Sequence, residues 1–308
     1  MAVLSVHFFS TGQKNVSNLE PIRGHYKQLS LLSAVPAPAN DSIDKQTFLY
    51  NAASAEKKLS LKPIYLRNVS VTDFKISPPP VNSSKQTRAE LNYLLHLQQQ
   101  RTEEEIHASL YLANVYYNLR VKPEDSTYHQ YRKNLFHIGR SVGTWFNPND
   151  LPVTADFMAK VWQDASYFIW SLKYKYLRVR PNVLDADIHN LEETDWAAYP
   201  SGHAANSYVN AYIYQELAPE FSDIFLKDAY DMAHSREILG VHFPSDSEAS
   251  RIFARQFVNL LFQQENFKSD FQKVKEEWRV KSTGNFDKPI ITPGHPSGKS
   301  SCAKVCKD

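Results

Sequence analysis

The sequence predicts an all-α protein: a helical domain over residues 76–282, an irregular extension over 1–75 before it and a flexible tail over 283–308 after it. Three observations carry this expectation. From Leu91 to about residue 280, apolar residues recur at intervals of three and four, the spacing of a helix face. Pro78, Pro79 and Pro80 separate that region from a weakly periodic one, because consecutive prolines exclude helix and strand interiors. From Gly284 onward the chain turns rich in Pro, Gly, Ser and Lys, a composition that cannot bury a core.

Before the proline run, Ile64–Leu66 and Val69–Thr72 have the composition of short strands. Asn15, Asn40, Asn68 and Asn82 stand in Asn-x-Ser patterns and suggest exposure. After it, Leu91, Leu94, Leu95 and Leu97 begin a helical run that Ile106, Leu110, Leu112 and Val115 continue. Leu135, Ile138, Val142 and Trp145 predict a helix ended by Pro148, and Phe157, Val161, Tyr167, Ile169 and Leu172 predict the next. Further helices are expected over about 203–217, 221–239, 245–264 and 267–280. Trp145, Trp170 and Trp196 read as core residues, any of which could instead wall a substrate pocket, and Glu103, Glu104 and Glu105 as a solvated helix face.

Composition narrows the function. The 308 residues suffice to bury a sizeable core. A formal net charge of +2 without a basic block gives no reason to expect a nucleic-acid partner, so anion binding must come from a local cluster. No stretch approaches the roughly 18 apolar residues of a membrane-spanning helix. Residues 1–15 lack the basic start and apolar run of a signal peptide. The two cysteines, Cys302 and Cys306, read as tail thiols or as a small disulfide-closed loop. No His, Asp or Glu constellation stands at metal-ligand spacing, so neither metal nor cofactor is expected; His96, His107, His129 and His137 read as ordinary surface or core histidines.

Three motifs carry chemistry. Lys173 and Arg180, seven residues apart with Pro181 following, place one cation on a helix and the other where the chain leaves it. In Pro200-Ser201-Gly202-His203, Ser201 is a natural N-cap, Gly202 permits close approach of a ligand, and the helix start that follows is an anion site beside His203. In the third, Ser235 and Arg236 precede His242 and then Asp246; Gly240 ends one helix, Pro244 begins the next, and Asp246 in its first turn can orient the His242 ring. Each motif alone also fits a capped helix end with an incidental basic residue or histidine. Together they supply three cations, an anion-binding helix start, two histidines and an orienting carboxylate, the set that in-line phosphoryl transfer requires.

In this order the motifs resemble the signature of the type 2 phosphatidic acid phosphatase superfamily, which includes class A non-specific acid phosphatases, membrane lipid-phosphate phosphatases and vanadium haloperoxidases. The resemblance covers residues 76–265, and the proline run, Tyr199 and the segment Ser245–Ala249 look like the class A branch. Ala204, Ser250 and Asn182 depart from the usual residues of the family at those positions. The resemblance implies a helical bundle of the acid phosphatase and haloperoxidase type with the motifs at one end. It implies hydrolysis of small phosphate monoesters through a phosphohistidine on His242, with Asp246 holding the ring and His203 as general acid and base. Lys173, Arg180, Arg236 and the amides near Ser201 and Gly202 would bind the phosphoryl group. Two alternatives share the site: a haloperoxidase that binds vanadate, and an anion-binding relative without turnover. The resemblance implies a periplasmic or secreted protein, although a chain without a visible leader is also compatible with the cytoplasm, and a homo-oligomer is compatible with the sequence.

Overall fold

The computed structural model describes residues 41–282, which are helical without a strand. The cysteines, the tail beyond 282 and the first 40 residues lie outside the described residues. In chain order the helices are α1 (Asp41–Asp44), α2 (Ala52–Leu59), α3 (Lys85–Gln100), α4 (Glu103–Ala113), α5 (Tyr128–Asn134) and α6 (Pro152–Tyr176). They continue as α7 (Pro181–Leu184), α8 (Gly202–Leu217), α9 (Ser222–Ile238), α10 (Pro244–Leu261) and α11 (Glu265–Ser282). Single 3₁₀ turns stand at Val71–Asp73 and Pro219–Phe221.

Helix α8 is the axis of the bundle. Every residue from Ser207 to Gln215 is buried, so it is enclosed on all sides, with α9, α10 and α6 packed around it. Two of its buried polar side chains, Asn210 and Tyr214, are paired inside the protein. Asn210 accepts from Trp162 Nε1 at 2.8 Å and donates to the Leu135 carbonyl at 2.9 Å, to which Tyr214 also donates at 2.8 Å. The last helix caps α6: Glu277 accepts from the Val153 and Thr154 N–H groups, both at 2.8 Å, where the helix has no acceptor of its own. Beside it, Trp278 donates to Thr154 Oγ1 at 2.9 Å.

Those contacts explain why the helix expected at Leu135–Trp145 does not form. Helix α5 ends at Asn134, and the chain to Pro152 runs in turns. A continuing helix would pair the Leu135 carbonyl with the N–H of Gly139. Instead Asn210 and Tyr214 take the carbonyl, the Gly139 N–H goes to Asp228 at 2.8 Å, and Gly139 adopts φ +94°. The apolar spacing still marks core, since Leu135, Ile138, Val142 and Trp145 are buried.

The expected short strands are absent as well. Asp164, fully buried on α6, accepts the N–H groups of Ile64 at 2.5 Å and of Tyr65 and Leu66 at 2.8 Å. Three successive amides turned toward one carboxylate cannot serve a strand ladder. This anchor seats Tyr65 and Leu66 in the main core, and Phe74 follows, its ring 5.0 Å from Phe168 and 4.8 Å from Phe253. Asp164→Ala would leave two buried amides and a half-buried one unpaired. It should lower unfolding free energy by about 3 kcal/mol or more, measured by chemical denaturation.

Candidate active site

Lys173 lies in the last turn of α6. The helix stops at Leu177, whose φ of 47° turns the chain sharply, and Arg180 follows in extended conformation before Pro181 opens α7. In an extended segment residues two apart share a side, so Arg178 and Arg180 are presented together. Lys173 is almost fully buried and donates to the carbonyls of Ala197 at 2.7 Å and Ala198 at 3.1 Å. Burial, and then Arg180, hold its ammonium well below the ordinary lysine range, against the pull of Asp246.

The second motif opens α8 as the sequence predicts. Ser201 is the N-cap, and its hydroxyl accepts from the Ala204 N–H at 3.4 Å. Its own N–H goes to the Asp246 carbonyl at 3.3 Å, so the free first-turn amides are those of Gly202 and His203. A Cβ on Gly202 would meet only Ile169 Cγ2, at 3.9 Å, so packing within the protein leaves that side open. Ser250 stands where the resemblance leads to a glycine; its hydroxyl lies 2.8 Å from the Ser201 carbonyl and 2.6 Å from that of Asp246, tying the starts of α8 and α10 together. His203 Nε2 lies 3.0 Å from the Ala113 carbonyl at the end of α4. A carbonyl only accepts, so Nε2 carries a proton and Nδ1 is the nitrogen left for exchange. Burial, then Arg236, with Lys173 and Arg180 adding, push the ring well below the ordinary histidine value, while the Ala113 bond opposes this.

The third motif spans the α9–α10 connection. Gly240, at φ +73°, turns the chain after α9, and Asp246 lies in the first turn of α10. Asp246 Oδ2 accepts from His242 Nδ1 at 3.0 Å and from the Phe243 N–H at 3.0 Å. On the other side of the ring, Arg180 Nη1 lies 3.0 Å from His242 Nε2. A guanidinium can only donate, so Nε2 holds a lone pair and the imidazole is neutral with its proton on Nδ1. Burial and Arg180 keep the ring well below the ordinary histidine value, although Asp246 pulls upward. Burial alone would raise the Asp246 carboxyl; Arg178 and His242 outweigh it and hold Asp246 far below the usual carboxylate range.

All eight residues singled out from the sequence therefore meet at one end of the bundle. Arg236 completes the cluster with its side chain buried, one nitrogen paired with Glu192. Arg236 Nε and Nη1 and Arg180 Nη2 are buried donors without a protein partner, as an oxyanion site requires. Trp196, expected in the core, is instead 36% exposed: its carbonyl accepts from Arg180 Nε at 3.0 Å, and its indole packs edge-on against Trp170 at the surface.

Sequence reasoning missed the support beneath this cluster. Arg178 donates to Asp246 Oδ1 at 2.6 Å and to Ser245 Oγ at 2.7 Å, and lies 3.2 Å from Glu90 Oε2. Its guanidinium also covers the Phe243 ring at 3.8 Å. Glu90, on α3, accepts in addition from the Ser245 N–H and hydroxyl, both at 2.9 Å. Arg178 had a signal, its two-residue spacing from Arg180 before a proline; Glu90, 88 residues away, had none. Arg178→Ala would strand both carboxylates and should lower stability by about 3–5 kcal/mol. Combined with Glu90→Gln it should cost less than the sum of the two single changes, which a double-mutant cycle by chemical denaturation would measure.

Comparison with known proteins finds likenesses in the region that carries the motifs and in the fold. Residues 165–270, which contain all three motifs, match the model of the PAP2 superfamily. A non-specific acid phosphatase of Providencia stuartii is 37% identical over 117 residues, covering 35% of this chain and 46% of the relative. One of Salmonella typhi is 30% identical over 149 residues, covering 46% and 59%. The chain thus spans about half the length of the curated relatives it matches. Among solved structures, a bacterial vanadium-dependent iodoperoxidase superposes with a TM-score of 0.53 at 17% identity, covering 78% of this chain and 64% of the other, a likeness of fold. The segment of this chain that carries the three motifs is thus similar to the PAP2 superfamily and to non-specific acid phosphatases.

Proposed function

We propose that this protein hydrolyses phosphate monoesters through a phosphohistidine on His242, without a metal ion. One observation carries the proposal: His242 is buried and neutral, its Nδ1–H fixed on Asp246 and its Nε2 lone pair turned toward Arg180. A nucleophile needs that protonation state, and Arg180 has to yield the lone pair to phosphorus as it turns to the phosphate oxygens. The acid phosphatase relatives support the same activity.

In the reaction, Nε2 attacks phosphorus as the bond to the ester oxygen breaks. Lys173, Arg180, Arg236 and the Gly202 and His203 amides face the equatorial oxygens and stabilise their charge, the role a metal ion fills in other phosphoryl-transfer sites. The departing alkoxide takes the proton from Nδ1 of cationic His203. That nitrogen then removes a proton from water, and the hydroxide displaces His242 from phosphorus, releasing inorganic phosphate and restoring both rings. Asp246 stabilises the charge that His242 acquires while phosphorylated.

His242→Ala should reduce turnover of a chromogenic phosphate ester by at least about 10³-fold and abolish the acid-labile phosphoenzyme, while wild-type turnover survives exhaustive chelation. Label trapped on another residue, or loss on chelation with recovery on adding a divalent ion, would refute the assignment.

The pH profile follows from the two histidines. His242 is depressed below a free histidine, near about 6.5, so its lone pair stays available on the acid side. His203 must be cationic to act; the surrounding cations oppose this, and an arriving phosphate dianion favours it. The expected profile is a bell with its optimum below neutrality. His203→Ala should slow alkyl esters far more than aryl esters, whose leaving groups need less protonation. Equal losses across the two classes would remove His203 from the general-acid role.

A further inference from the structure

The segment joining the first two motifs supplies acceptors to all three cations of the site. Glu192 pairs with Arg236 Nη2, the Trp196 carbonyl accepts from Arg180 Nε at 3.0 Å, and the Ala197 and Ala198 carbonyls accept from Lys173 at 2.7 and 3.1 Å. Three of these acceptors are neutral backbone; only Glu192 brings a full negative charge. We infer that Glu192 is an internal anion that competes with the phosphate group for Arg236 and helps to expel inorganic phosphate after turnover. The inference rests on the reading of this site as a phosphate site.

The geometry of the guanidinium makes the competition direct. Its two bidentate edges are Nε with Nη2 and Nη1 with Nη2, so Nη2 belongs to both. Nη2 has two hydrogens, one in each edge, so a carboxylate there takes one fork from a phosphate outright and sets its negative charge beside the other. The two remaining nitrogens, Nε and Nη1, are buried without a protein partner, one on each side of the nitrogen that Glu192 holds.

The two partners also differ in freedom. The Arg236 side chain is 2% exposed and that of Glu192 is 23% exposed, so the carboxylate can leave toward solvent while the guanidinium stays. The backbone behind Glu192 is fixed. Leu191 N–H donates to the Leu239 carbonyl at 2.9 Å, and Asn190 Nδ2 donates to the Glu192 carbonyl at 2.9 Å. Arg101, at the end of α3, clamps the same region by donating to the Ile238 carbonyl at 2.8 Å and to that of His189 at 3.3 Å. A side chain swinging on a tethered backbone returns readily to its partner, and so can displace a product anion without a large rearrangement.

The test is binding of inorganic phosphate by calorimetry at neutral pH, with the full chain as wild type, E192Q and E192D. E192Q keeps the size and an oxygen acceptor and removes the charge; it should bind phosphate on the order of tenfold tighter, and product inhibition by phosphate should strengthen to match. E192D keeps the charge on a shorter arm and should fall between the two; it also serves if E192Q does not fold, as judged by its thermal transition. Unchanged or weaker phosphate binding by folded variants would overturn the inference and leave Glu192 as a support for Arg236. Absence of phosphate binding in all three proteins would overturn it too. Tighter binding by E192Q without ester hydrolysis by wild type would keep the inference and reject the phosphatase reading instead.

Discussion

Asp246 is a fully buried carboxylate, and the arrangement of the site follows from keeping it ionised. Removing such a charge from water costs several kcal/mol unless partners replace the lost solvent. Here Arg178 takes one oxygen, and the His242 ring and the Phe243 N–H take the other. Each partner has a second consequence. The bond to His242 selects the tautomer that leaves Nε2 unprotonated, and the bond to Phe243 fixes the first turn of α10. Arg178, itself buried, needs a second carboxylate, which Glu90 brings from α3. The helix that follows the proline run is thereby joined to the third motif by charge as much as by packing.

Around this pair the protein gathers four buried cations, Lys173, Arg178, Arg180 and Arg236, against three carboxylates, Glu90, Asp246 and Glu192. Burial lowers the proton affinity of Lys173, Arg180 and Arg236; repulsion from neighbouring cations adds to it at Lys173 and Arg180, and Glu192 opposes it at Arg236. An incoming dianion would relieve that repulsion. The fold supplies the means: the ends of α6 and α9 carry cations, the start of α8 offers free amides, and the connections bring these ends together.

Periodicity placed α3, α4, α6 and the helices from α8 onward because a helix that buries one side repeats its apolar residues with its own turn, whatever it packs against. It failed at Leu135–Trp145, where the same spacing belongs to turns. Burial there is real, but the choice between helix and turn lay with the Leu135 carbonyl and the Gly139 N–H. Their partners, Asn210, Tyr214 and Asp228, are 75 to 89 residues away along the chain. Asp164 was equally silent, since an acidic residue within an amphipathic helix gives no sign that three distant amides will point at it.

The chemistry of the site was written in the sequence to the extent that it is local. Ser201 caps its own helix, Pro181 sets the conformation of Arg180, and Asp246 reaches His242 across four residues, so spacing alone brought these groups within reach of their tasks. What local spacing cannot contain is the state of each group. The neutral His242 with an unprotonated Nε2, the depressed Asp246 and the pairing of Arg236 with Glu192 depend on burial and on charges brought from α3 and from the segment between the first two motifs. Solvation and Coulomb interactions act through space, so the sequence determined which groups the site contains and the tertiary structure alone decided their protonation and their partners.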